Sequence, residues 1–261
     1  MNISFYFHIF KELIKIDLIS LRENLLDKAI NVSIWACLTL SIFTYIMPEF
    51  GLKTDYGIFQ YAGIIASVSL FEIFPSAAKL INDFESDKSF LYNFTLPIPS
   101  WLVVLAKITF YCINAITMSL CVIPLGKLIL LNKLSFFEIS FFKLAILILC
   151  SSFFYSSLVI WIASIIDDVS RLGNAWLRVI FPMWFLGGFQ FSWSAMEKVV
   201  PKIAYLNLLN PMVYITEGSR AAIIGQVGYL NFWLCILMIL LFSSLSVIVG
   251  FFKLKKKLDF I

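Results

Sequence analysis

Charge is scarce in this sequence: only 14% of its 261 residues are Asp, Glu, Lys or Arg and 61% are hydrophobic, against roughly 25% charged in a soluble domain. That balance excludes an ordinary soluble globule. Histidine is nearly absent, and a Ser/His/Asp or Cys/His triad, or a histidine-based metal site, would have to rest on His8 alone. The five cysteines (Cys37, Cys112, Cys121, Cys150 and Cys235) lie inside apolar runs without a CxxC pair, which argues against a disulfide framework or a zinc site. The Gly-Lys pair at Gly126-Lys127 lacks the upstream glycine and the following Ser or Thr of a phosphate-binding loop, so no cofactor is expected on this chain. Residues 1 to 28 carry scattered charges and no uninterrupted apolar core, which does not fit a cleaved signal. The net charge of +4 is small and its lysines and arginines sit beside apolar runs, which favours a lipid bilayer over nucleic acid as their partner.

What is abundant is apolar sequence in membrane-length runs. Residues 1–28 place Ile9, Leu13, Ile16, Ile19 and Leu26 among charged residues at helical spacing, and predict an amphipathic interfacial helix, with a soluble helix packed on a partner as the alternative. Six spans are then expected, over residues 29–47, 56–77, 101–125, 144–166, from 177 to the Gly187-Gly188 pair, and 232–252, since roughly twenty residues at 1.5 Å each cross the hydrocarbon core. The expected fold class is all-α, a polytopic membrane protein forming a single domain over residues 1–261. Thirteen of the Lys and Arg residues fall on one side of this topology and seven on the other, which predicts both termini on the cytoplasmic side.

Three ionisable residues fall within or at the edges of spans: Glu72, Lys107 and Arg178. They read either as a structural network at the rim or, for Glu72, as a polar entrance for substrate, because an intramembrane acid is costly unless solvated or paired. Aromatic residues make up 17% of the chain, and Tyr111, Phe153, Phe154, Tyr155, Trp161 and Phe185 within spans either face lipid or line a path for sugars or amphiphiles. Between spans two and three, residues 78–100 form the most polar interior stretch, with Asp83, Glu85, Asp87 and Lys88 ahead of Leu96-Pro97-Ile98-Pro99. The two prolines force a turn there. The segment Asn210 to Gly225, NPMVYITEGSRAAIIG, sets Pro211 at a helix start and Glu217 and Arg220 three apart on one helical face, where they can pair if water is scarce. Its Gly218-Ser219 pair is a weak helix former.

That segment resembles the stretch before the last span in ABC-2 type transporter permeases, and FLYNFTLPIPSWLVVLAK (Phe90 to Lys107) resembles the same family's loop between spans two and three. The resemblance implies the membrane subunit of a bacterial exporter in the cytoplasmic (inner) membrane. It implies a dimer with a second permease subunit, homodimer or heterodimer, docked on separate cytoplasmic ABC ATPase subunits that carry ATP and Mg. Asp83, Glu85, Asp87, Lys88 and Phe90 take the place of the coupling helix that seats in the ATPase. Asn210, Pro211, Glu217 and Arg220 take the place of short re-entrant helices gating the outer side, over residues 194–228. Polysaccharides, lipids and drug-like amphiphiles are the family's substrate classes. An integral membrane enzyme acting on lipid-linked substrates, or an ATP-independent channel subunit, are the alternatives.

Overall fold

A computed structural model describes residues 3–53, 55–85, 88–135 and 137–258, and among them every regular element is a helix. Helix α1 (Ile3–Ser41) runs unbroken for 39 residues. The expected interfacial helix over residues 1–28 is therefore not a separate element but the first part of the helix that continues into span one. The cause is compositional: neither Gly nor Pro occurs before Pro48, so nothing uncouples the two parts. At 1.5 Å per residue α1 is roughly 58 Å long, well beyond a hydrocarbon core of about 30 Å. Its first turns turn Ile16, Ile19 and Leu26 outward and carry Asp17 and Lys28 toward neighbouring helices.

The chain returns after Gly51, whose φ of 92° closes the helical turn containing Pro48. Helix α2 (Tyr56–Phe71) and α3 (Ile73–Glu85) form one apolar rod with a break at Glu72. Pro75 accounts for the break, since it cannot donate to the Phe71 carbonyl one turn earlier and its ring crowds that group. The rod extends eight residues past the expected end of span two, so the polar link before span three is shorter than residues 78–100 suggested. A short helix, α4 (Ser89–Thr95), occupies that link, and α5 (Ser100–Leu130) follows the Pro97/Pro99 turn. Helix α6 (Phe141–Ile165) completes the first half.

From there the chain is broken into short pieces. Val169–Arg171, α7 (Leu172–Ala175), a π-helical turn (Trp176–Ile180) and α8 (Phe181–Leu186) make one interrupted helical run. Then come α9 (Trp193–Val199), α10 (Pro201–Asn207) and α11 (Pro211–Ile223), before the long α12 (Phe232–Leu258). Five helical segments are long and apolar enough to cross a membrane: residues 5–50, 56–85, 100–130, 141–165 and 232–256. The expected fifth span, near Leu177 to Gly187, is not among them. Prolines 182, 201 and 211 and the Gly187-Gly188 pair cut this part of the chain into helices of 4 to 13 residues.

Helices α6 and α12 lie side by side and run in the same direction. Lys143 at the start of α6 sits 5.6 Å from the ring of Phe232 at the start of α12, and near their far ends Gly250 lies against the Trp161 backbone. The core is built where α2, α5, α6, α11 and α12 meet, around Ile64, Met118, Ile160, Ile215 and Ile239. Small hydroxyl residues let these helices approach closely: Ser69 donates to the Ala115 carbonyl (2.8 Å) and Ser219 to that of Ala62 (2.8 Å).

Candidate functional site

The first cluster of interest is at the α4 end of the bundle. Asp83, in the last turn of α3, reaches across the link to cap α4: Oδ2 accepts from the Phe90 amide at 2.7 Å, and Oδ1 accepts from the Ser89 amide at 3.2 Å and from the Ser89 hydroxyl. Lys88 precedes the helix in the left-handed region, with φ of 52°. Phe90, placed by sequence reasoning in the contact with a partner, is only 3% exposed and packs on Phe84 and Phe94 instead. Nor does Asp83 point outward. Both residues anchor α4, and the surface it presents is made by Lys88, Ser89 and Tyr92, the last 65% exposed, together with Glu85 on α3. Asp87 lies outside the described residues. Beside α4, Lys107 of α5 pairs with Asp17 of α1 (2.8 and 3.0 Å), with its ammonium 5.8 Å from the Phe90 ring. Tyr92 is the residue that sequence reasoning missed; aromatic residues are so common here that an exposed one carries no signal in the sequence.

The second cluster joins α1 to the α2–α3 break. Lys28 pairs with Glu72, and Asn114 of α5 both donates to Glu72 (3.0 Å) and accepts from Lys28 (3.3 Å). Glu72 and Lys107 thus join two separate inter-helix pairs, both holding α1. Arg178 joins neither and is exposed on the π-helical turn.

The third cluster is the segment 187–230. Asn210 and Pro211 start α11: Asn210 Oδ1 accepts from the Met212 amide (3.0 Å), its Nδ2 donates to the Met183 carbonyl (2.8 Å), and Pro211 fills a position whose amide needs no partner. Every residue from Met212 to Ile223 is buried. Glu217 and Arg220 do sit on one face and pair, at 3.4 Å, but with side-chain exposures of only 1% and 0% they line no surface of the chain. Their partners are backbone. Arg220 donates to the carbonyls of Gly188, Phe189 (3.1 Å) and Phe191 (3.2 Å), and lies 3.6 Å from the Phe59 ring. Glu217 accepts from the amides of Trp193 (2.9 Å) and Leu230 (3.2 Å). The pair therefore pins two loops, 187–193 and 228–230, onto α11.

Glycine has a structural purpose here. A Cβ on Gly187 would lie 2.5 Å from the Met183 carbonyl and 2.3 Å from Met212 Cβ, whereas one on Gly218 would meet at 2.8 Å only the terminal methyl of Leu147, which can rotate away. Gly218 is thus the seat of Leu147 rather than a loose joint. Gly187→Ala is expected to lower the melting temperature of the purified protein by several degrees and Gly218→Ala to leave it nearly unchanged, because the latter also gains about 1 kcal/mol of helix propensity. Scanning fluorimetry of the two variants side by side checks this.

Fold and clusters together define a multi-pass membrane protein whose helices are tied by buried and half-buried ion pairs. The sequence model of one family, described as ABC-2 type transporter, matches residues 15–224. The chain belongs to that family, which makes it a permease subunit of an ABC transporter, a transport subunit and not itself the catalytic one. Members generally pair with ABC ATPase subunits. No curated protein matches the sequence.

Proposed function

We propose that this chain forms, as a dimer, the export path of an ATP-driven transporter in the bacterial inner membrane, with both termini cytoplasmic and a separate pair of ABC ATPases, carrying ATP and Mg, docked on α4. The observation that carries the reading is α4 itself. A seven-residue helix between two membrane-length rods, capped at its start by Asp83 of α3 and packed through Phe90 on Phe84 of α3, with Lys107 of α5 beside the same ring, is coupled to the motion of both rods. That is the mechanical requirement for turning closure of an ATPase pair into motion of the spans.

Six crossings are part of the proposal. Since α6 and α12 are parallel, the chain between them must return from one end of the bundle to the other, which supports counting the run from Val169 to Leu186 as a fifth, interrupted crossing. Residues 194–228 then form the re-entrant gate. Supporting it, Met212 at the start of α11 meets the hydroxyl of Tyr155 (3.2 Å), roughly 20 Å along α6 from its first turn by helix rise, while Ala222 near the end of α11 accepts from the Ser140 amide just before α6. Backbone that turns at such depth is tolerated where protein surrounds it. The gate residues act as its internal braces, with the moving surface supplied by α10. Ile203, Leu206 and Leu209 are exposed beside Val179 and Leu186, an apolar face we assign to the second permease subunit.

The test is docking. With Tyr92→Cys in the chain and cysteines placed around the cleft of a candidate ABC ATPase, disulfide crosslinking is expected at Tyr92 and not at a control Phe137→Cys in the loop before α6. Equal crosslinking at both positions removes α4 from its role.

A further inference from the structure

The α2–α3 rod is broken and tied at the same place. The helical ladder is interrupted at Glu72, and Pro75 on the next turn has no amide to offer the Phe71 carbonyl. The backbone is thereby weakened within a single turn. Yet the carboxylate at the break is held from two helices: it pairs with Lys28 of α1 and accepts from Asn114 of α5 at 3.0 Å, while Lys28 also donates to Asn114 at 3.3 Å. Those two helices are fastened to each other again about three turns earlier on α1, where Asp17 meets Lys107 (2.8 Å).

Beyond the break, α3 has packing on one side and space on another. It lies against α6 and buries Ala77, Leu80 and Ile81. Toward α1, a groove of 340 Å³ has Pro75, Ser76 and Lys79 on one wall and Ser20, Asn24 and Asp27 on the other, crossed by the bond from Lys79 to the Ser20 hydroxyl (2.8 Å) between exposed groups. The helix has room to move there. A second irregular backbone faces the first: Trp176, which opens the π-helical turn, touches Phe71 before the break (6.0 Å) and Phe74 after it (5.6 Å). Proline and π-helical turns are where helices bend.

We infer that the turn at Glu72 is a hinge and the Lys28–Glu72–Asn114 cluster its latch: when the pair opens, α3 swings into the groove, carrying α4 with it through Asp83 and Phe90. The latch can open because its charges are partly exposed, Lys28 at 26% and Glu72 at 14%, so water replaces the lost contact at far less cost than in a fully buried pair. Asn114, with both a donor and an acceptor, still serves whichever partner stays. From Ile73 to Glu85 the lever is roughly 20 Å long, so a change of about 20° at the hinge moves its end by about 7 Å. That the swing serves transport rests on the coupling reading. The swing itself belongs to the chain and is measured without nucleotide or ATPase, so either can fail alone.

The measurement is the electron–electron distance between nitroxides attached through p-acetylphenylalanine at Glu85, on the end of α3, and at Lys253, on α12 beside α6, with the full chain in phosphatidylcholine nanodiscs. Both positions are exposed, and the native cysteines stay in place. The native chain should give a dominant distance with a longer component below ~10%. Lys28→Met, which leaves the hinge turn unaltered, should raise the longer component about fivefold, and Lys28→Gln about twofold. Exchanging the charges, Lys28→Glu with Glu72→Lys, should return it to the native share. Pro75→Ala, at an exposed position, restores the missing backbone donor: it should raise the melting temperature by a few degrees and, combined with Lys28→Met, suppress the longer component. A purely structural role would not give a variant that gains stability while losing motion. A distribution unchanged in Lys28→Met and Lys28→Gln overturns the latch, and a longer component that persists in full in the Lys28→Met, Pro75→Ala combination overturns the hinge. A shift to shorter distances overturns the swing into the groove.

Discussion

Arg220→Ala is expected to be the most damaging single change in the chain, abolishing recovery of folded protein from membranes or lowering its melting temperature by more than 10 °C. The substitution leaves Glu217 buried without its cation and strands the carbonyls of Gly188, Phe189 and Phe191 at once. Removing one partner of a buried pair typically costs about 3–5 kcal/mol, and each abandoned buried acceptor adds about 1–3 kcal/mol. Arg220→Lys should be nearly as harmful, because an ammonium cannot span three carbonyls and a carboxylate as a planar fork does. Replacing both members, Glu217→Leu with Arg220→Met, does not rescue the fold in this account, since the amides of Trp193 and Leu230 and the three carbonyls stay unpaired. Full recovery of the double variant would mean that the two loops find other partners. Size-exclusion profiles and fluorimetry in a mild detergent distinguish these outcomes.

The second large effect is expected at Asp83, and on coupling more than on stability. Asp83→Ala removes the acceptor for the Ser89 and Phe90 amides and frees the start of α4, at a cost of about 1–2 kcal/mol. Phe90 and its neighbours keep α4 on the bundle, so the chain should still be recovered folded and still bind its ATPase. It should lose most of the ATP-driven substrate movement, because a helix free at one end no longer passes force to α3. Tyr92→Ala is the complement: α4 stays capped, but its largest exposed side chain is gone, and binding rather than coupling should weaken. A loss of binding in Asp83→Ala with no change in Tyr92→Ala would reverse the two roles.

The parts of this molecule that were legible in the sequence are those written in side-chain type and spacing. Long apolar runs marked the full-length crossings, paired prolines marked the turn before α5, and Asn-Pro with Glu and Arg three apart marked a capped helix carrying an ion pair. What stayed hidden was carried by groups that all residues share. The partners of Arg220 are backbone carbonyls 29 to 32 positions away, and a carbonyl leaves no signature in the sequence. Phe90 and Asp83 turned inward because α4 is short and needs anchoring, while the spacing alone fits outward placement equally well. The continuity of α1 was concealed by its charges, which suggested a surface helix; the decisive feature was the lack of any Gly or Pro to bend it. The interrupted run at 169–186 had the opposite problem, being apolar enough for a span but cut by Pro182 and the π-helical turn.

The most direct test of the central claim is ATP turnover by a candidate ABC ATPase in proteoliposomes, measured with this chain, with its Tyr92→Ala variant and without it. Coupling through α4 predicts a stable complex whose turnover changes several-fold when the chain is present, and a Tyr92→Ala complex that gives most of that change up. Turnover identical in all three preparations would contradict it.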